Sequence, residues 1–132
     1  MSSVRPLIAV VDDEACVSKA LQRLLRSEGL RVETFASGPT FLDWLQRDTP
    51  DCVVLDLHMP QMDGFEVQAC LAQKQEVRVP VIVITGRDSP QARRRALAGG
   101  AAAYLTKPLD DQTLLEAIAV AIAPHPQASP PL

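Results

Sequence analysis

A lone aspartate, Asp56, directly follows the apolar run Cys52-Val53-Val54-Leu55 and opens the segment Asp56-Leu57-His58-Met59-Pro60-Gln61-Met62-Asp63-Gly64. A carboxylate therefore stands where a buried strand gives way to a loop. Three other apolar runs end in residues able to do chemistry: Val10-Val11 in Asp12-Asp13, Val81-Ile82-Val83-Ile84 in Thr85-Gly86, and Ala103-Tyr104-Leu105-Thr106 in Lys107-Pro108. Brought together, these tips supply three acids, one hydroxyl and one ammonium, a set suited to a metal ion and a phosphoryl group. With an ordinary pKa of about 3.9, Asp56 is an anion at neutral pH and can attack phosphorus without a general base. The charge that spreads over the equatorial oxygens in such a transfer is met by a cation, by Lys107 and by Thr85. Asp12, Asp13 and Asp56 repel one another unless a cation neutralises them. Mg²⁺, which prefers a few carboxylates together with waters and a phosphate oxygen, suits them better than Ca²⁺, and a backbone oxygen at His58 would complete the shell.

For the tips to meet, the elements behind them must run parallel. Strand-like and helix-like segments alternate along the whole chain, which predicts an α/β fold. Leu7 to Val11 reads as the first strand, followed by a helix whose Val17, Ala20, Leu21, Leu24 and Leu25 form its apolar face and which stops at Gly29. Arg31 to Phe35 reads as an edge strand. Ser37 caps a helix that turns Phe41, Leu42, Trp44 and Leu45 inward and reaches towards Pro50. Asp63 caps the helix bearing Val67, Cys70 and Leu71. Val79-Pro80 announces the fourth strand, Ser89-Pro90 opens the fourth helix and Gly99-Gly100 closes it. Asp110 opens the last, with Leu114, Ile118 and Ile122 inward and Leu109 stapled against Leu114. Five such pairs predict a flavodoxin-like (βα)5 doubly wound sandwich whose five-stranded parallel sheet has the order 2-1-3-4-5. In that order the first and third strands are neighbours, and the crevice lies at their carboxyl ends.

With 132 residues, 47% of them apolar, the chain is expected to form a single domain over 1–123, with no room for a cap. A proline-rich tail or linker stub follows at 124–132, holding four of the 11 prolines. The formal charge of -3 removes the long-range attraction that non-specific nucleic-acid binding relies on, so no direct nucleic-acid contact is expected. Neither a leader nor an apolar stretch of membrane-spanning length is seen, which predicts a cytoplasmic protein without membrane association. Cys16, Cys52 and Cys70 lack metal-ligand spacing and are read as reduced thiols, mostly packing groups. Arg93-Arg94-Arg95 is read as a solvated face.

In combination, the acidic pair Asp12-Asp13, Asp56 within a DxxMPxMDG segment, Thr85-Gly86 and Lys107-Pro108 resemble the receiver domain of a bacterial two-component response regulator, over roughly Pro6 to Ile122. The resemblance implies that Asp56 takes a phosphoryl group from a phosphohistidine on a sensor histidine kinase or phosphotransfer protein. It implies metal binding by Asp12 and Asp13, pairing of Lys107 with the phosphate, and a switch in which Thr85 moves in and Tyr104 follows. The face of the fourth helix, fifth strand and fifth helix is thereby altered for an effector domain or protein partner. A homodimer is among the assemblies this allows, although the fifth helix offers no lysine or arginine for the salt-bridged form. The family also implies a cis peptide at Lys107-Pro108. His58 and Arg87, two residues beyond Asp56 and Thr85, overhang the phosphoryl site and are expected to tune the lifetime of the acyl phosphate. Thr34-Phe35-Ala36-Ser37 and Leu109-Asp110-Asp111 are similar to receivers that precede a LuxR-type helix-turn-helix output domain.

Three rivals share parts of this pattern. A phosphatase of the haloacid-dehalogenase type carries DxD after its first strand, whereas here Asp12 is followed by Asp13. A flavin or nucleotide module needs phosphate-cradling glycines or hydroxyls where this chain has Asp12-Asp13-Glu14. A receiver working without phosphorylation would not need the full acceptor set. The expected role is thus a signalling domain and not an enzyme, limited to its own phosphorylation from phosphodonors and its own dephosphorylation.

Overall fold

The computed structural model describes residues 5–74 and 78–123. The tail expected at 124–132 lies outside them. Five strands alternate with five helices: β1 (Leu7–Val11), α1 (Ala15–Ser27), β2 (Arg31–Phe35), α2 (Gly38–Trp44), β3 (Cys52–Asp56), α3 (Gly64–Gln73), β4 (Val81–Thr85), α4 (Pro90–Ala98), β5 (Ala103–Thr106) and α5 (Asp111–Ile122). All four strand pairings are parallel and the order is β2-β1-β3-β4-β5, as the alternation of elements predicts.

Every residue of β1, β3 and β4 is buried, because helices cover both faces of the sheet. On the edge, β2 exposes Arg31, Glu33 and Thr34 and buries Val32 and Phe35. One core joins Val11, Phe35, Val53, Leu55 and Val83 of the sheet to Phe41 of α2, Val67 of α3 and Ala96 of α4. The other joins Ile8, Val10, Val54, Ile82 and Ile84 to Leu21 and Leu25 of α1 and Leu114 and Ile118 of α5. Adjacent residues of one strand thus serve opposite cores, which fixes the register that aligns the four functional tips.

Ser37, Asp63, Ser89 and Asp110 each cap the helix that follows, accepting from the backbone N–H three residues on. Three details depart from expectation. Ala20 is exposed, so the apolar face of α1 is narrower than its periodicity implied. Helix α2 ends at Trp44, well short of Pro50, and Phe35, Phe41 and Trp44 pack as an aromatic cluster there. Cys16 is exposed rather than a packing group, whereas Cys52 is buried and its thiol is pushed up to about 12, mainly by burial.

Candidate functional site

The carboxyl ends of β1, β3, β4 and β5 open on a cleft of about 410 Å³ lined by Asp13, Glu14, Asp56, His58, Gly86, Arg87 and Lys107. Asp12 is placed by pairing at its back, its N–H donating to the Phe35 carbonyl at 3.0 Å, and by a turn at its front, where Oδ1 accepts from the Glu14 N–H at 2.8 Å. That turn starts α1 and leaves Asp13 pointing to solvent. Asp56 is the last residue of β3 and is 3% exposed.

The loop after Asp56 is pinned from both sides. Leu57 donates to the Ile84 carbonyl at 3.1 Å and accepts from the Gly64 N–H at 2.9 Å. A Cβ at position 64 would lie 2.6 Å from the Asp56 carbonyl oxygen and 2.8 Å from Leu57 Cα, so only glycine lets α3 begin this close to β3. Asp63 and Glu66 form a reciprocal capping box at that start. To close the loop Gln61 takes a φ of 72°, a left-handed conformation that costs a non-glycine residue.

Oxygens of Asp12, Asp13 and Asp56 all come within 4.8 Å of one another. Lys107 Nζ lies 2.6 Å from Glu14 Oε1, 3.0 Å from Asp12 Oδ2 and 3.5 Å from Asp56 Oδ1. The approach to Asp12 is poorly aligned, and Oδ2 is left buried with no hydrogen-bond partner. With the Lys107 ammonium its one close neighbour and two other carboxylates beside it, this buried oxygen belongs to a donor set a hard divalent cation needs, so the residues fit Mg²⁺. Burial pushes Asp56 up to about 6; the charges of Asp12 and Asp13 add to the rise, while Lys107 and the His58 N–H oppose it. For Lys107 burial acts downward, but its contacts with Glu14 and Asp12 and the charge of Asp56 outweigh it and hold the ammonium above its ordinary value.

Thr85 ends β4 fully buried, its hydroxyl accepting from the Arg87 N–H at 3.0 Å. Lys107 donates its N–H to the Thr85 carbonyl at 2.8 Å, and the Lys107-Pro108 peptide is cis, as expected. Tyr104 is 6% exposed and lies on the core side of β5, its hydroxyl without a well-aligned partner. The Arg93 guanidinium stacks 4.8 Å from the Tyr104 ring centroid, and that of Arg95 4.0 Å from Phe65. All three arginines are exposed, as expected of a solvated face, and two of them also lie over aromatic rings of neighbouring elements.

The structure thus gathers Asp12, Asp13 and Asp56 within 4.8 Å of one another, sets Lys107 against Asp12 and Asp56, and places His58 and Arg87 on the cleft wall. Thr85 and Tyr104 stand on the adjoining strands. Sequence reasoning gave Glu14 no role of its own, yet its side chain makes the shortest contact to Lys107. Adjacency to the acidic pair was the available signal.

Residues 8–119 match the family model of the response regulator receiver domain. The chain is 38% identical over 127 residues to the response regulator protein TodT of Pseudomonas putida, covering 96% of this chain and 56% of that protein. It therefore spans about half the length of the curated relatives it matches. Among solved structures, a response regulator receiver protein from Burkholderia phymatum is 44% identical with a TM-score of 0.79, covering 89% of this chain and 95% of that one. A CheY-like receiver domain protein from Methanospirillum hungatei is 28% identical with a TM-score of 0.84, covering 90% and 94%.

Proposed function

This chain belongs to the response regulator receiver family, whose standard function is to accept a phosphoryl group from a sensor kinase, and we propose that here the acceptor is the carboxylate of Asp56. The observation that carries the assignment is the contact of Asp56 Oδ1 with Lys107 Nζ at 3.5 Å beside two further carboxylates. In the transfer an Asp56 oxygen forms the new bond to phosphorus in line with the departing imidazole nitrogen of a phosphohistidine. Lys107 and the Thr85 hydroxyl supply positive charge and a hydrogen bond to the transferred oxygens. Asp12, Asp13, Asp56 and the His58 backbone oxygen would hold Mg²⁺, which when bound neutralises charge on those same oxygens. Asp56 attacks as the anion, so its raised pKa sets a lower pH limit on the reaction.

Thr85 and Tyr104 are proposed as the switch pair that reports the phosphoryl group to the face of α4, β5 and α5, by favouring one of two arrangements of that face. His58 and Arg87, on the cleft wall, are proposed to govern water access and thus the rate of autodephosphorylation. Partners on this reading are a sensor histidine kinase or phosphotransfer protein, and an effector domain or second protein, with self-association through the switch face as a further mode. Similarity at Thr34-Phe35-Ala36-Ser37 and Leu109-Asp110-Asp111 supports a LuxR-type output partner. Among the described residues no helix is long and apolar enough to cross a membrane.

Incubation with a small phosphodonor and Mg²⁺ tests the acceptor. Intact mass should rise by one phosphoryl group, chelation of the metal should prevent it, and Asp56→Asn should remain unmodified. Undiminished modification of Asp56→Asn would assign the acceptor elsewhere.

A further inference from the structure

Lys107 is the only cation among the described residues within ion-pairing distance of Asp56, yet its shortest contact is with Glu14, at 2.6 Å against 3.5 Å to Asp56 Oδ1. Glu14 stands at the N-cap of α1 but makes no capping bond with its side chain. That side chain is 60% exposed, whereas the Lys107 side chain is 16% exposed, so Glu14 reaches over the cleft wall to a lysine that is otherwise enclosed. A phosphoryl group arriving on Asp56 must draw on the same ammonium, and a lysine has only three hydrogens to give.

We propose that Glu14 is a positioning residue that competes with the phosphoryl group for Lys107, restraining the lysine until the group arrives and thereby setting how fast Asp56 is phosphorylated. This rests on the assignment of Asp56 as acceptor. Moving Lys107 from Glu14 to the phosphoryl oxygens exchanges one ion pair for another, so no bond or proton is gained or lost. Because Glu14 is largely in water, its hold on Lys107 has the strength of an exposed ion pair, equivalent to about a two- to fivefold change in rate.

The test compares phosphorylation of wild type and Glu14→Gln by acetyl phosphate with Mg²⁺, each also in a Lys107→Met background, alongside NMR of the Lys107 side chain in protein carrying isotope-labelled lysine. With only Lys19, Lys74 and Lys107 present, assignment is direct. Glu14→Gln should be modified about two- to fivefold faster, the Lys107 signal should shift, and the gain should vanish in the Lys107→Met background. A gain that persists without Lys107 would mean that Glu14 merely repels the anionic donor, and would overturn the proposal. So would an unchanged rate with an unmoved Lys107 signal. Wild type that takes no phosphoryl group at all would instead overturn the reading of Asp56 on which the proposal rests.

Discussion

Asp56 carries two opposed demands: it must be an anion to attack phosphorus, and it sits where an anion is costly. Its carboxyl is nearly enclosed and shares the cleft with Asp12, which together with burial lifts its pKa from 3.8 to about 6. A pKa raised in the folded state means stability that is present at pH below about 4 and lost as the pH climbs through 6. At pH 7 without metal the full cost applies, so Asp56→Asn should be more stable than wild type by about 1–3 kcal/mol. That advantage should shrink between pH 6 and 4, which denaturant titrations at several pH values would show; an advantage independent of pH would contradict the electrostatic origin. By the same sign, Mg²⁺ must displace a proton when the pH is below about 6. Calorimetric titration should therefore find metal affinity falling steeply as the pH drops from 7 to 5.

At the level of elements, each functional residue sits at a strand-to-helix joint, and the joints fix its geometry. The tightest is β3 to α3, where Gly64 lies against the Asp56 carbonyl. Gly64→Ala has no room for its Cβ except by moving α3 or the acceptor strand, and should cost about 1–3 kcal/mol with slower phosphorylation. Gln61→Gly, relieving the left-handed residue three positions earlier, should stabilise by about 1 kcal/mol. Thermal melts of the two variants should move in opposite directions. These joints were largely legible in the sequence, because caps at Ser37, Asp63, Ser89 and Asp110 and the stops at Gly29 and Gly100 are local chemistry. What local chemistry does not record is how far a helix runs beyond its last inward residue, as the early end of α2 shows, or which charge a flexible side chain selects. Glu14 and the stacked arginines of α4 belong to that second kind, since their partners lie 93 residues away for Glu14 and on other elements for Arg93 and Arg95.

Across the whole molecule, the sheet separates two apolar layers, and the site lies at the carboxyl ends of the strands between them. The sheet order was legible because five parallel strands with alternating helices, the inner three buried throughout, leave few ways to bring three acids together. If Mg²⁺ binds the folded cleft and not the unfolded chain, it raises stability in proportion to the logarithm of its concentration. Added Mg²⁺ should therefore raise the melting temperature of wild type and have much less effect on Asp12→Ala or Asp13→Ala, while an equal shift in all three would place the ion elsewhere. The acyl phosphate itself can be read chemically. Borohydride reduces an aspartyl phosphate to homoserine, so treating the phosphodonor-modified protein with borohydride and sequencing its peptides by mass spectrometry reads the acceptor directly. Homoserine at position 56 is the predicted result. Homoserine at Asp12 or Asp13, or at no position in protein shown to carry the phosphoryl group, would contradict it.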